Sequence, residues 1–122
     1  MKPDPSAAER RRFQRFSFEG TVRLYSGTAM WETKLVDVSL KGALIERPAD
    51  WSGKAGGGYR MDLRINNSVI ISMGVTCAHI MPHRLGFRWD KIDLDSFAQL
   101  KRLVELNLGD PALLNRELSA LG

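Results

Sequence analysis

Hydrophobic and polar residues alternate along much of the chain, the pattern of strands that bury one face. Phe16 and Phe18 face one way while Ser17 and Glu19 face the other, and this alternation continues to Leu24. Six segments carry a strand pattern, at about 16–24, 30–38, 43–46, 59–65, 69–77 and 85–89. Turn-forming residues separate them, namely Ser26-Gly27, Asp37 to Gly42, Pro48 to Gly58, Asn66-Asn67-Ser68 and Pro82-His83. Short strands and turns at this spacing predict a small antiparallel barrel or sandwich.

Hydrophobic residues change to helical spacing after Ile92. Positions 97, 100, 103, 104 and 108 form one apolar face, and positions 113, 114, 118 and 121 form a second. Asp93 or Asp95 can cap the first helix, and Gly109 can end it. Asp110, followed by a proline, can begin the second helix. We therefore expect a flexible lead at 1–9 and one domain at 10–122, with a barrel over about 16–92 and helices over about 93–120.

The length and composition of the chain are those of a small globular protein. A chain of 122 residues with 43% hydrophobic and 26% charged residues is typical of one globular domain. It contains no apolar run of the roughly 20 residues that a membrane-spanning helix needs, and the first eight residues lack the apolar segment of a signal peptide. Cys77 is the single cysteine, which excludes an internal disulfide. We therefore predict a cytoplasmic protein without membrane insertion.

Positive charge is concentrated near the start of the chain. The net charge is +4, and the arginine arm, defined here as residues 10–15, contains Arg10, Arg11, Arg12 and Arg15. Such a patch attracts phosphates, nucleic acid or anionic lipid. Guanidinium groups bind phosphate oxygens bidentately, stack on bases and pair with the guanine O6 and N7 edge. A solvated arm without a ligand is the alternative interpretation.

Two short motifs carry candidate binding chemistry. The first, Arg11-x-x-x-Arg15, lies in the arginine arm, and the second, Asp37-x-Ser39-x-x-Gly42, forms the turn that we call the bend (residues 37–42). Asp37 can accept hydrogen bonds from guanine N1–H and N2–H2, the Ser39 hydroxyl can donate or accept, and glycine permits a sharp turn and close approach of a ligand. Alternatively, Asp37 and Ser39 only cap a tight turn, and Arg15 pairs with Asp37 as a structural bridge.

In this order and on a small β-barrel, the two motifs resemble the PilZ domain, the bacterial family that binds the second messenger cyclic di-GMP. The resemblance extends from Arg10 to the C-terminal helix and includes the segment Leu103 to Gly109. It implies a six-stranded antiparallel PilZ-type β-barrel with C-terminal α-helices and cyclic di-GMP as ligand. It also implies roles for the site residues. Arg11 and Arg15 would clamp the phosphates and stack on a base, and Arg10 and Arg12 would make secondary contacts. The opposing turn would be formed by Asp37, Ser39 and Gly42.

One position departs from the resemblance. Single-domain relatives can carry an aromatic residue late in the fifth strand that flanks a base, whereas this chain reads Cys77-Ala78-His79-Ile80. His79 can stack on a base less extensively than tryptophan can. It is a candidate ligand contact or, equally, a partly exposed histidine at a strand end.

Other candidate motifs point to structural roles. The segment Gly53 to Gly58 lacks the Ser or Thr of a phosphate loop. Cys77, His79 and His83 match no common zinc spacing, and Cys77 falls in phase with core residues, so we expect no metal and no thiol nucleophile. No combination of nucleophile, base and oxyanion site is visible, so we predict no enzymatic activity and no cofactor.

The leading hypothesis is therefore a cyclic di-GMP receptor that signals to an unidentified bacterial protein. Its arginine arm would be loose without ligand, because like charges repel, and would fold onto the barrel once phosphates neutralise them. A nucleotide-independent protein adaptor is the main alternative. Nucleic-acid binding is disfavoured, since Phe13 and Trp31 are the only plausible stacking aromatics, and the last helix is a candidate partner surface. The leading hypothesis requires the arm and the bend to meet on one side of the barrel.

Overall fold

The computed structural model of the chain describes residues 13–66 and 69–121. Its strands are β1 (Gly20–Ser26), β2 (Ala29–Val38), β3 (Gly42–Glu46), β4 (Gly58–Ile65), β5 (Val69–Ile80) and β6 (Arg84–Ile92). Two helices follow, α1 (Leu94–Leu108) and α2 (Pro111–Leu121). All neighbouring strands are antiparallel, and they close into a barrel in the order β1-β2-β3-β6-β5-β4. The predicted six-stranded barrel with C-terminal helices is confirmed.

Alternation along the strands positions the core. Val22 and Leu24 of β1 are fully buried, as are Met61, Leu63 and Ile65 of β4. Full burial of such a side chain is worth about 1.5–3 kcal/mol, which makes this inward face the main stabilising element of the barrel.

The predicted start of the first strand is wrong. The regular ladder of β1 begins at Gly20, and Phe16 instead forms an isolated bridge with Val38 at the end of β2. Alternation shows which residues share a face, but it does not reveal which strand a segment pairs with. β6 also runs beyond the predicted Trp89 to Ile92, which pairs with Met73 of β5.

The helix boundaries follow the predicted capping residues. Asp93, rather than Asp95, caps α1, and its Oδ1 accepts a hydrogen bond from the Ser96 amide at 2.7 Å. Gly109 ends α1 with φ +72°, a left-handed conformation that suits glycine. The Asp110 carboxylate accepts from the Ala112 amide at 2.9 Å at the start of α2.

The helices pack on one side of the barrel. Ser96 of α1 accepts a hydrogen bond from the Ser72 amide of β5 at 3.2 Å, and Leu100 and Val104 are fully buried. Leu114 of α2 is also buried in the core cluster. In the part of the chain described here, neither helix has the length and apolar character needed to cross a membrane.

Candidate functional site

The Ser39 hydroxyl organises the bend. Ser39 Oγ accepts hydrogen bonds from the amides of Lys41 at 3.1 Å and Gly42 at 3.3 Å, and the Ser39 amide donates to the Gly42 carbonyl at 2.9 Å. The residue is only 2% exposed. Its carbonyl also accepts from Trp89 Nε1 at 3.3 Å, which connects the bend to β6. The serine therefore performs the turn-stabilising role that was the alternative to ligand contact.

Gly42 is required by the neighbouring strand. A Cβ atom at this position would lie 2.0 Å from the carbonyl oxygen of Phe87 on β6. Among the described glycines, those with positive φ are Gly27, Gly56 and Gly109, so a left-handed turn is not the reason for Gly42. The close approach of β6 to β3 is therefore a reason for glycine that the sequence did not predict, and close approach of a ligand at Gly42 stays a prediction.

The arginine arm joins the barrel beside the bend. Phe16 and Val38 exchange two backbone hydrogen bonds of 2.9 Å each, and Phe13 is 4% exposed within the core cluster. The Lys41 ammonium lies 5.5 Å from the centroid of the Phe13 ring, within the range of a cation–π contact. The arm and the bend therefore meet on one side of the barrel, as the hypothesis requires.

The two motifs are in direct contact through Arg15 and Asp37. Arg15 Nη1 donates to Asp37 Oδ1 at 2.8 Å, across 22 positions of sequence. The Arg15 side chain is 44% exposed and the Asp37 side chain 18% exposed, so both groups remain open to solvent and to a ligand. Arg10, Arg11 and Arg12 lie outside the described residues.

His79 lies on the same outer row of the barrel as Asp37. The registers pair Asp37 with Leu44, Leu44 with Gly86, and Gly86 with His79. Paired residues of adjacent strands point to the same face. Asp37 and His79 are three strand spacings apart in the closed six-stranded barrel, a path of roughly 14 Å around its surface. The imidazole covers Gly86, where a Cβ would lie 3.3 Å from its Cδ2. His79 is therefore at a distance from the contact between the motifs.

Two grooves flank these elements. One groove, of about 290 Å³, opens beside the bend and is bordered by Lys41, Arg88 and Trp89. Phe97 of α1 and Leu121 of α2 also line it. A larger one of about 710 Å³ lies on β4, β5 and β6 beside Arg60 and Lys91. The larger groove contains no residue of either motif. The smaller one is the groove that is continuous with the bend.

A buried acid on α2 was missed by the sequence analysis. Glu117 is 5% exposed, and its Oε2 accepts a hydrogen bond from the amide of Gln14 at 3.2 Å. Burial raises the pKa of this carboxyl, and the hydrogen bond from Gln14 acts in the opposite direction. The available signal was that position 117 falls in phase with Leu114 and Leu121 on the apolar face.

The remaining candidates have structural positions. Cys77 points into the core, and burial raises the pKa of its thiol, which disfavours the reactive thiolate. Within residues 13–66 and 69–121, no three His, Cys, Asp or Glu side chains group in a way that could hold a metal ion. Phe13 is buried in the core, and Trp31 forms a T-shaped contact with Tyr59 at 6.3 Å between the ring centroids.

The structure is a small β-barrel domain in which the arginine arm and the bend lie side by side at the end of β2. The PilZ domain matches residues 9–106, which is most of the chain. The chain belongs to the PilZ domain family.

Solved structures share this fold. The PilZ domain of YcgR from Escherichia coli, determined with cyclic di-GMP, is 18% identical, with a TM-score of 0.63 over 78% of this chain and 88% of that one. The PilZ domain of CeSA from a cellulose-synthesizing bacterium is 19% identical, with a TM-score of 0.59 over 80% and 99%. The Bacillus subtilis inhibitor of motility, MotI/DgrA, is 15% identical, with a TM-score of 0.69 over 83% of this chain. The match spans about half the length of MotI/DgrA, 52%.

Proposed function

We propose that this chain is a cyclic di-GMP receptor that binds its ligand in the cleft between the arginine arm and the bend. The observation that carries the proposal is the 2.8 Å contact between Arg15 and Asp37. In this contact a guanidinium, which is a group that can bind phosphate, lies beside a carboxylate, which can accept guanine N1–H and N2–H2. One guanine nucleotide offers partners to both groups at once.

Arg15 and Asp37 share one hydrogen bond in the structure, and in this proposal the ligand replaces that contact. Exposed ion pairs of this kind contribute only about 0–1 kcal/mol to stability, so replacing the Arg15–Asp37 contact by contacts with the ligand costs little free energy. Arg15 then turns towards a phosphate, and Asp37 accepts from the guanine edge. Arg11 supplies the second phosphate clamp, while Arg10 and Arg12 make further contacts.

Ser39 and Gly42 support the ligand indirectly in this proposal. The serine hydroxyl is occupied by the amides of Lys41 and Gly42, and the glycine makes room for β6. Together they hold the backbone that presents Asp37. His79, farther along the same outer row, provides a peripheral stacking contact for a base.

Signalling follows from movement of the arginine arm. The segment from Phe13 to Phe16 contacts the barrel through the buried Phe13 ring, the Arg15–Asp37 pair and the Phe16–Val38 bridge. Ligand phosphates rearrange the arm from this position, and a bacterial partner protein reads the new surface. In this proposal the protein acts in the cytoplasm as a binding effector without catalytic activity.

A nucleotide-independent adaptor is the second candidate. The observation in its favour is that Arg15, Asp37 and Ser39 all have hydrogen-bond partners within the protein. An adaptor of this kind would use the same barrel surface for a partner whatever the nucleotide concentration.

Isothermal titration with cyclic di-GMP separates the two candidates. A receptor should release or absorb heat with a saturable isotherm at micromolar protein, and GMP should not match it because it has one phosphate and one base. A folded protein that gives no heat at tens of micromolar cyclic di-GMP would exclude the receptor. Capture of the same partner with and without nucleotide would then support the adaptor.

A further inference from the structure

Glu117 of α2 contacts the arginine arm. Glu117 shares the inward face of α2 with Leu114, and both are buried. Glutamate is seldom buried at this level without a specific partner. Its partner is the amide of Gln14, 103 positions earlier in the chain.

The Gln14 amide lies in the arginine arm between two residues that contact the barrel. Gln14 stands between Phe13, which is anchored in the core, and Arg15, which pairs with Asp37. A constraint on this amide therefore limits how far the following guanidinium can move from the bend. Gln14 is exposed as a residue, and its amide hydrogen bond is directed to a carboxylate that is buried.

Packing alone does not explain an acid at this position. An apolar side chain of similar size would bury more favourably beside Leu114, because a buried carboxylate loses its hydration. Of the two carboxylate oxygens, Oε2 accepts the hydrogen bond from Gln14 of the arm, and Oε1 has no partner among the described residues.

We propose that Glu117 is a positioning residue that holds the arginine arm beside the bend, so that α2 sets the affinity for cyclic di-GMP. The inference rests on the proposed function and adds a residue outside both binding motifs. Its physical basis is preorganisation, since the apparent dissociation constant rises as the fraction of molecules with a correctly placed arm falls. The C-terminal helix and the ligand site are coupled through one hydrogen bond.

The test compares Glu117→Leu with Glu117→Gln by titration with cyclic di-GMP. The leucine variant keeps the bulk but removes the acceptor, and we expect Kd to rise about fivefold, the equivalent of one hydrogen bond. The glutamine variant keeps an acceptor oxygen and should restore Kd to within about twofold of the original. Glu105→Leu, an exposed position on α1, is the matched control and should leave Kd unchanged.

Amide hydrogen exchange without ligand gives an independent readout. The Gln14 and Arg15 amides should exchange faster in Glu117→Leu than in the original protein, and Glu117→Gln should restore protection. If wild-type protein fails to bind cyclic di-GMP while this exchange pattern holds, the proposed ligand is wrong but Glu117 still positions the arm. Unchanged Kd together with unchanged exchange in Glu117→Leu would overturn the inference.

A second variant approaches the same bond from the arm. Gln14→Pro removes the donor N–H and leaves Glu117 intact, so it replaces Glu117→Leu if that variant does not fold. The double variant Gln14→Pro with Glu117→Leu should bind no more weakly than either single variant, because both substitutions remove the same hydrogen bond. Additive losses would show that the two residues act separately and would contradict the proposal.

Discussion

The backbones of Phe16 and Val38 are joined by two hydrogen bonds of 2.9 Å, and this pairing brings the arginine arm to the bend. Asp37 immediately precedes Val38, and Arg15 immediately precedes Phe16. Because this bridge is antiparallel, Arg15 lies opposite Ser39, and Asp37 is its diagonal neighbour two positions back along β2. The long arginine side chain spans that diagonal to reach the carboxylate. Their contact is a consequence of strand pairing at the end of β2.

Arg15→Ala is expected to weaken cyclic di-GMP binding at least about tenfold, since it removes a charge-assisted, bidentate phosphate contact. The free energy of unfolding should change by less than about 1 kcal/mol, because the ion pair with Asp37 is exposed. Titration calorimetry and urea denaturation measure the two effects. Arg60→Ala is the control, since Arg60 lies on β4 beside Asp62 and should not alter Kd. Equal losses in both variants would mean that net charge, and not the site, controls binding.

Asp37→Asn tests the carboxylate as a guanine acceptor. The amide has one acceptor oxygen where the carboxylate has two, and its NH2 group would face a guanine donor, so the loss should be about 1–3 kcal/mol of binding free energy for cyclic di-GMP. Cyclic di-AMP, which lacks the guanine N1–H and N2–H2 groups, should show no comparable loss. If Asp37→Asn binds cyclic di-GMP more tightly, the carboxylate serves only to hold Arg15 and competes with the ligand.

Gly42→Ala is expected to destabilise the barrel by about 1–3 kcal/mol through overpacking. The added methyl would lie 2.0 Å from the Phe87 carbonyl, so β3 and β6 must separate or shift. Gly58→Ala is the matched control, because its Cβ would meet only the Val75 carbonyl at 4.0 Å. Thermal denaturation of both variants measures the difference, and equal melting temperatures would show that the strands adjust freely.

Glu117→Gln should become progressively more stable than the original protein as pH rises. Burial raises the pKa of the Glu117 carboxyl above its ordinary 4.5, so the folded state favours the protonated form. The protonated Glu117 carboxyl contributes fully to stability below the pKa that it has in the unfolded chain. This contribution is lost as pH rises through the higher pKa of the folded protein, whereas the glutamine amide does not titrate. Urea denaturation from about pH 4 to pH 7 should show this divergence. A difference that is independent of pH would contradict it.

Local pattern was sufficient for most of the fold. Alternation predicted the inward residues of β4 and β5, and Asp93 and Gly109 predicted the ends of α1, because strand period and helix capping depend on neighbours within a few residues. The two binding motifs were also visible, and the family resemblance indicated that they belong together. The strand partner of Phe16 was not visible, since an extended segment pairs equally well with several neighbours.

Residue spacing in the sequence determined the elements, the core positions and the candidate site residues of this protein. Only the closed barrel decided that Gly42 is required by the Phe87 carbonyl, and only the packing of α2 brought Glu117 to Gln14. Both contacts join parts of the chain that are distant in sequence. Such contacts depend on how whole elements pack in three dimensions, which short-range periodicity does not encode.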